Sequence, residues 1–161
     1  MITIRCAQPS DRQAWLSMDR HLPAGLFERK AAAREMYLLL SDGEPAGLLR
    51  YSLFWDSIPF CNLLWIREEF RGRGLGRRLM AHWESDMRDR GFGLALVSTQ
   101  ADETAQHFYR RLGYGDCGGL VLTQPGYAQP MEIFFSKPLP PPDGRPAREE
   151  TENEQFCKKR G

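Results

Sequence analysis

The sequence has few cysteines, no long hydrophobic run and no N-terminal secretory pattern. Its four cysteines form no C-x-x-C pair and none adjoins a histidine, which excludes the usual zinc and redox motifs and favours unpaired, mostly buried thiols. Apolar runs such as residues 37–40 are too short to cross a bilayer. Residues 1–5 lack the basic and apolar regions of a secretory signal. We therefore expect a cytoplasmic protein with no metal and no membrane partner.

The sequence also lacks a clear excess of charge of either sign. It has 22 Lys and Arg against 21 Asp and Glu, a formal net charge of +1. Proteins that bind nucleic acid usually carry a clear basic excess, so no nucleic-acid partner is expected. Locally the balance differs, because residues 67–78 hold five arginines and two glutamates. That cluster suits one small anionic ligand better than a long polyanion.

The composition changes near Lys137. The 161 residues suit one domain of ordinary size, with 42% hydrophobic and 27% charged residues. Residues 138–161, however, hold five of the eleven prolines and balanced charges, and Phe156 is the only large apolar side chain after Leu139. Such a segment cannot bury enough apolar surface to offset its ordering entropy. We predict a domain over residues 1–137 and a Pro-rich, charged, flexible tail over residues 138–161.

Strand and helix patterns alternate along this domain in the order β-α-α-β-β-β-α-β-α-β-β. Hairpins require antiparallel neighbours and crossovers allow parallel ones, so the order predicts an α/β domain with a mixed sheet. Ser10 and Asp102 are placed to cap the first and last helices. The predicted strands are residues 2–6, 35–41, 46–55, 60–67, 93–99, 118–123 and 131–137, and the predicted helices are residues 10–21, 24–34, 75–90 and 102–112.

The most informative segment is residues 63–76, in which a strand leads into a loop with glycines at 72, 74 and 76 and then into a long helix. Glycines let the backbone approach a ligand closely and adopt positive φ. Free N–H groups and the helix dipole favour an anion at the start of a helix. The segment therefore predicts a phosphate or pyrophosphate site, and a glycine-rich surface loop that ends at a helix is the alternative.

Other phosphate-binding motifs fit this segment less well. The P-loop string G-x-x-x-x-G-K-[ST] does not occur. The dinucleotide fingerprint G-x-G-x-x-G also fails, because the third glycine comes one position early and residues 94–96, Leu-Ala-Leu, occupy the region of the expected acid.

Two motifs resemble the GNAT superfamily of acyl-CoA-dependent N-acyltransferases. The family signature [Q/R]-x-x-G-x-[G/A] is matched by Arg71-Gly72-Arg73-Gly74-Leu75-Gly76, with the hydrophobic Ile66 five positions before Arg71. The second block, N-x-x-A-x-x-F-Y-x-x-x-G-[F/Y], is matched by residues 102–114, with Asp102 where the family usually has Asn. The resemblance covers residues 1–137 in element order and is specific in sequence over about residues 60–115.

The resemblance implies a GNAT-like α/β fold: a mixed, mostly antiparallel sheet of six to seven strands, flanked by about four helices, with splayed central strands. The cofactor would be acetyl-CoA, used as a co-substrate, and would lie between the strand that ends near Arg67 and the strand 93–99. The residues implied to bind it are Leu64, Trp65, Ile66, Arg71, Gly72, Arg73, Gly74, Leu75, Gly76 and Asp102.

The resemblance also implies catalytic and acceptor residues. Tyr109 corresponds to the tyrosine that protonates the departing thiolate, although its place beside Phe108 on an apolar stripe also fits core packing. Glu68 and Glu69 are candidate general bases, and each also fits a solvated surface acid. Trp55, Asp56 and Phe60 form the candidate acceptor wall.

We therefore expect an N-acetyltransferase that moves an acetyl group from acetyl-CoA to a primary amine by direct transfer in a ternary complex. The expected acceptor amines are those of small molecules and those of peptides or proteins, and a homodimer is compatible with the sequence. The alternative is a non-catalytic acyl-CoA-binding regulatory module. Thiol release that depends on an amine distinguishes the two.

Overall fold

The computed structural model describes residues 1–141, and the rest of the predicted tail lies outside the described residues. Seven strands and four α-helices follow the predicted order, which confirms the predicted fold class. The strands are β1 (Ile2–Cys6), β2 (Met36–Ser41), β3 (Glu44–Phe54), β4 (Ile58–Ile66), β5 (Leu94–Gln100), β6 (Gly115–Leu120) and β7 (Glu132–Pro138). The helices are α1 (Arg12–Met18), α2 (Phe27–Ala32), α3 (Leu75–Asp89) and α4 (Ala105–Arg111). Among these helices, none is long and apolar enough to cross a membrane.

The strands form one sheet in the order β1-β2-β3-β4-β5-β7-β6. All neighbours are antiparallel except β4 and β5, which run parallel. This central pair is joined only at Phe60–Leu96 and Cys61–Val97. Beyond Cys61 the two strands separate, and the sheet opens at their carboxyl ends.

A β-bulge lies where β4 leaves β5. Arg50 of β3 pairs with Leu63, whereas Tyr51 pairs with Cys61, so Asn62 is an extra residue in β4. A bulge bends its strand and increases the local twist. The bend falls directly after the last residue that β4 pairs with β5, and it therefore helps to open the sheet.

The two faces of the sheet carry separate hydrophobic cores. Leu75, Leu79 and Trp83 of α3 recur every four residues and are buried on one face, together with Tyr109 of α4. On the other face, Trp15 and Phe27 are fully buried, with ring centroids 6.2 Å apart. These cores hold β4, α3 and α4 in fixed positions around the opening in the sheet.

The structure corrects several predicted element ends. The first helix is preceded by a 3₁₀ turn at Pro9–Asp11, and Asp11 accepts the N–H of Gln8, so Ser10 is not the cap. Helix α4 begins at Ala105 after Thr104, so Asp102 does not cap it. Strand β6 lies three residues earlier than predicted, because its register is set by pairing with β7.

The cysteines of residues 1–141 are unpaired, as predicted, but their exposure varies. Cys61 is buried, and burial raises the pKa of its thiol to about 12, which keeps it protonated and unreactive. Cys6 is half-buried, and Cys117 is exposed on the edge strand β6, contrary to the prediction of mostly buried thiols. Cys157 lies outside the described residues.

Tight packing continues beyond Lys137. The N–H of Leu139 donates to the carbonyl of Gly93 at 2.9 Å, and the Leu139 side chain is 1% exposed. The body of the domain therefore includes Leu139, whereas the flexibility of residues 142–161 stays a prediction.

Two truncations test this boundary. A chain that ends at Pro141 should melt within a few degrees of the full chain, because residues 142–161 offer little apolar surface to the core. A chain that ends at Lys137 should lose about 2 kcal/mol of stability, the cost of removing one buried leucine. Differential scanning calorimetry compares the three chains. A large loss on ending at Pro141 would show that the tail packs on the domain.

Candidate active site

A cleft of about 1870 Å³ occupies the gap between the diverging ends of β4 and β5. Its walls are the second half of β4, the loop 67–74, the start of α3, the end of β5 and helix α4. The turn after α1 adds Arg20 and His21 to its rim. The cleft therefore lies at the predicted place, between the two splayed strands.

The backbone of β4 is free along this gap. Arg67 donates its N–H to Ala46 of β3 at 3.0 Å. Because alternate residues of an antiparallel strand face opposite edges, the N–H and C=O groups of Leu64 and Ile66 point away from β3 and toward β5. Strand β5 does not pair with them. Because the Ile66 carbonyl accepts Nε of Arg71, an extended ligand in the gap can hydrogen-bond to the N–H and C=O of Leu64 and to the N–H of Ile66.

The loop before α3 presents a run of backbone N–H groups without acceptors. The first hydrogen bond into the helix runs from the N–H of Arg78 to the carbonyl of Gly74 at 3.1 Å. Within residues 1–141 the N–H groups of residues 72–77 have no acceptor. Gly72 and Gly74 have φ values of +73° and +72°, and a Cβ on either would project into open space. The N–H groups are therefore accessible to a phosphate group.

Three arginines lie in or near this loop, and each has different surroundings. Arg71 donates from Nε to the Ile66 carbonyl at 2.9 Å, and its guanidinium lies 4.7 Å from the centre of the Trp65 ring. Arg77 lines the cleft. Arg73 does not line it, and its guanidinium lies over the Phe70 ring at 5.5 Å. Positive charge therefore adds to the helix dipole at the start of α3.

Tyr109 lies in the wall of the cleft with its hydroxyl unpartnered. It is 7% exposed, and its ring packs edge-on against Phe108 and Tyr114. Burial raises its pKa well above the ordinary value, and the nearby Cys61, Glu103 and Glu132 raise it further. By contrast, the hydroxyl of Tyr114 donates to Glu84 at 2.9 Å. Tyr109 therefore keeps its proton at neutral pH and has no acceptor for it within residues 1–141.

The candidate bases Glu68 and Glu69 follow β4 in a 3₁₀ turn and line the cleft. Glu69 is paired with Arg67, with an N···O distance of 2.5 Å. Glu68 takes part in none of the ion pairs of residues 1–141.

The structure brings most of the predicted site residues together, but not the predicted acceptor wall. All the predicted cofactor-binding residues except Arg73 line the cleft, including Asp102. Trp55 and Asp56 lie instead in the turn before β4, at the end of the strand opposite the cleft. Phe60 pairs with β5 and stacks on Phe134, with ring centroids 5.9 Å apart. None of these three residues lines the cleft. Aromatic residues in a turn do not reveal toward which end of the sheet that turn lies.

Sequence reasoning missed two acids of the cleft, Glu103 and Glu132. Glu103 accepts a hydrogen bond from the hydroxyl of the buried Thr99. Glu132 begins β7 and pairs with Gln100 at the end of β5. Glu103 lies within the second GNAT motif, whereas only the pairing of β7 with β5 brings Glu132 to the cleft.

Sequence reasoning also missed the turn after α1. Asp19 is 1% exposed and accepts the N–H groups of His21 and Leu22, each at 3.1 Å, and Nε of Arg50 at 2.8 Å. This buried carboxylate fixes the turn against β3. It thereby holds Arg20 and His21 at the rim of the cleft.

Comparison with known proteins agrees with this geometry. Residues 4–114 match the model of the Acetyltransferase (GNAT) family. Streptothricin acetyltransferase from Streptomyces lavendulae is 32% identical over 114 residues, which span 68% of this chain and 60% of that enzyme.

Solved structures share the fold. The ribosomal-protein-S18-alanine N-acetyltransferase from Escherichia coli aligns with a TM-score of 0.73 and 19% identity, over 86% of this chain and 94% of its own. The Salmonella typhimurium protein yncA, solved with its cofactor acetyl-CoA, aligns with a TM-score of 0.72 and 16% identity, over 86% of this chain and 94% of its own. Taken with the family match and the related enzyme, these findings show that the chain belongs to the Acetyltransferase (GNAT) family.

Proposed function

We propose that this protein transfers an acetyl group from acetyl-CoA to a primary amine, directly and within a ternary complex. One observation carries the proposal. Tyr109, whose hydroxyl is protonated and has no partner within residues 1–141, lines the same cleft as Ile66, whose N–H faces the gap between β4 and β5. A proton donor and an oxyanion donor in one cleft suit acyl transfer better than binding alone.

The residues present fit acetyl-CoA. The free N–H groups of residues 72–77 and the guanidinium of Arg71 would hold the pyrophosphate. The N–H and C=O of Leu64 and the N–H of Ile66 would hold the pantetheine arm as a neighbouring strand is held. When bound, acetyl-CoA supplies an acetyl group activated as a thioester.

Each step of the transfer has a candidate group. A base, Glu68 or Glu69, takes a proton from the ammonium form of the acceptor, directly or through water. The neutral nitrogen then forms a bond with the acetyl carbon while the carbon–sulfur bond breaks. The Ile66 N–H stabilises negative charge on the carbonyl oxygen, and Tyr109 gives its proton to the departing thiolate. The products are an amide and a free thiol.

The related proteins support acetyl transfer but do not identify the acceptor of this protein. One is named for streptothricin and another for an alanine of ribosomal protein S18. Both a small-molecule amine and a protein amine therefore stay within the proposal. We also propose that the protein acts in the cytoplasm, where thiols such as the three described here stay reduced.

An acceptor screen tests the proposed function. The full chain is incubated with acetyl-CoA and a panel of small amines and short peptides, and free thiol is measured. We expect thiol release that depends on one or more amines. Stabilisation by CoA with no amine-dependent release would favour the non-catalytic binding module.

Direct transfer is tested separately by intact-protein mass spectrometry. The protein is incubated with acetyl-CoA alone, and its mass should not change. A stable gain of one acetyl group, lost again on addition of amine, would show a covalent acetyl-enzyme and exclude direct transfer.

A further inference from the structure

Trp65 of β4 has an exposed side chain in the wall of the cleft. This side chain is 40% exposed, and within residues 1–141 it is part of neither hydrophobic core. Of the other three tryptophans of the chain, Trp15 and Trp83 are fully buried, and Trp55 is exposed but lies outside the cleft. A large apolar ring left exposed in a concave site marks a surface for a ligand.

The register of β4 places the Trp65 ring on the face of the sheet that carries α1 and α2. Trp65 is paired with Leu48 of β3, and Leu48 is buried in the core on that face. Side chains directly opposite each other in an antiparallel pair share one face of the sheet. The neighbouring residues Leu64 and Ile66 pack against the other core, which contains α3, as the alternation of side chains along a strand requires.

The groups proposed to hold the cofactor lie away from this ring. The N–H and C=O of Trp65 face β3, because those of Leu64 and Ile66 face the gap and alternate residues point to opposite edges. Helix α3, whose first turn would hold the pyrophosphate, packs on the opposite face of the sheet, and so does Tyr109. A ligand that covers the Trp65 ring therefore enters from the face of α1.

The end of α1 and the turn after it close the cleft on this same face. Met18 at the end of α1 and Leu63 of β4 both pack against the core of this face and line the cleft. Arg20 and His21 follow at the rim. With Trp65, these residues give this side of the cleft an apolar lining and a polar rim, the usual composition of a small-molecule site.

Arg71 holds the Trp65 ring in place from one side. Its guanidinium lies 4.7 Å from the centre of the ring, and its Nε donates to the Ile66 carbonyl at 2.9 Å. A cation over an indole ring is attracted by the negative charge of the ring face. Because Arg71 is anchored to the backbone, it restricts the ring before any ligand binds, and this lowers the entropic cost of binding on the rest of the ring.

We infer that the side chain of Trp65 binds the acceptor and selects primary amines that carry a flat apolar group near the reacting nitrogen. This inference rests on the proposed function and names its substrate class. It also assigns to the acceptor a residue that the family resemblance implied for the cofactor. The cofactor would occupy the α3 side of the gap, so the amine approaches from the α1 side, where a flat apolar group can stack on the indole ring.

Acrylamide quenching of tryptophan fluorescence tests which ligand covers Trp65. In the Trp55→Phe variant of the full chain, Trp65 is the one exposed tryptophan left, because Trp15 and Trp83 are fully buried. CoA alone should leave the quenching nearly unchanged, and phenethylamine added with CoA should remove most of it. Protection by CoA alone that equals protection by both ligands, or no protection by either, would overturn the inference.

Binding of two matched amines tests the selectivity. Phenethylamine and ethylamine differ only in the phenyl ring. With CoA present, isothermal titration calorimetry should show that the unaltered protein binds phenethylamine at least about tenfold more tightly, equivalent to ~1.4 kcal/mol. Trp65→Ala should abolish this preference, and Trp65→Phe, which keeps an aromatic surface, should retain part of it. Trp55→Ala, on the exposed tryptophan outside the cleft, should retain all of it.

Two results of this titration would contradict the inference: equal binding of the two amines by the unaltered protein, and a preference that survives in Trp65→Ala. The thermal shift caused by CoA is the control for folding and for the cofactor site. Because Trp65 is exposed and the proposed cofactor groups lie elsewhere, CoA should stabilise Trp65→Ala as much as the unaltered protein. Loss of that shift would assign the ring to the cofactor.

The thiol-release assay keeps this result separate from the proposed function. Binding of phenethylamine that depends on Trp65, without thiol release by any amine of the panel, would contradict acetyl transfer and leave the amine site in place. Thiol release with ethylamine as efficient as with phenethylamine would support acetyl transfer and contradict the inference.

Discussion

Replacing Gly74 with valine should abolish the thermal stabilisation of this protein by CoA. Gly74 precedes α3 with φ of +72°, and its missing side chain leaves open the space in front of the free N–H groups. A valine would fill that space and strain the loop, since the left-handed region costs about 1–2 kcal/mol per ordinary residue. The melting temperature measured with and without CoA reports the loss.

Gly43→Val is the matched control for this strain. Gly43 lies in the turn between β2 and β3 with φ of +88°, its Cβ would also meet nothing within 4 Å, and it does not line the cleft. Both variants should melt at a lower temperature than the unaltered protein. Only Gly74→Val should lose the shift caused by CoA, and an unchanged shift in that variant would exclude the loop as the phosphate site.

Tyr109→Phe should lower kcat while leaving the affinity for acetyl-CoA nearly unchanged. Positioned proton transfer contributes roughly 10²–10⁴-fold, and because a thiolate is a good leaving group we expect the low end, about 10–100-fold. The ring still packs against Phe108 and Tyr114, so the fold is preserved. Steady-state kinetics with a good acceptor, together with CoA-induced stabilisation, measure both quantities.

Tyr114→Phe is the control for a structural tyrosine. Its hydroxyl is used in a hydrogen bond to Glu84 and does not line the cleft. Loss of that bond should lower the melting temperature and leave kcat nearly intact. If Tyr109→Phe gave this same pattern, Tyr109 would be a packing residue, and the proton donor would be water or another group of the cleft.

The raised pKa of Tyr109 adds a test of pH dependence. Since burial raises this pKa above its ordinary value of 10.0, the phenol keeps its proton at pH values where an exposed tyrosine ionises. Ionisation of Tyr109 should therefore not lower the rate near pH 10, and the unaltered protein and Tyr109→Phe should have the same pH dependence there. The contrary result is a loss of rate near pH 10 that occurs in the unaltered protein and is absent from the variant. Such a loss would mean that the hydroxyl is solvated and its pKa is not raised.

Local patterns in the sequence were enough to predict the order of the elements and to name candidate cofactor-binding residues. The four-residue repeat of Leu75, Leu79 and Trp83 identifies the buried face of α3, and that face is buried in the structure. The glycines before this helix matter because they allow positive φ values and leave backbone N–H groups free. Both effects depend only on residues close together in the sequence. Tyr109 was found from a motif that lies within one helix. The roles of these residues in catalysis stay predictions.

The candidate residues for binding the acceptor depend on contacts between residues that are distant in sequence. The candidate acceptor wall was Trp55, Asp56 and Phe60, because aromatic residues in a turn are hard to bury. This turn, however, precedes the end of β4 that pairs with β5. Glu132 enters the cleft only because β7 pairs with β5 and places it opposite Gln100.

The sequence alone therefore determined the order of elements, the candidate anion-binding loop and the candidate proton donor, because hydrophobic periodicity, backbone freedom and helix ends act over a few residues. Only the tertiary structure decided how far β4 and β5 pair before they separate and which acids enter the cleft. Strand pairing and register join residues tens of positions apart, and their choice depends on the packing of the whole sheet.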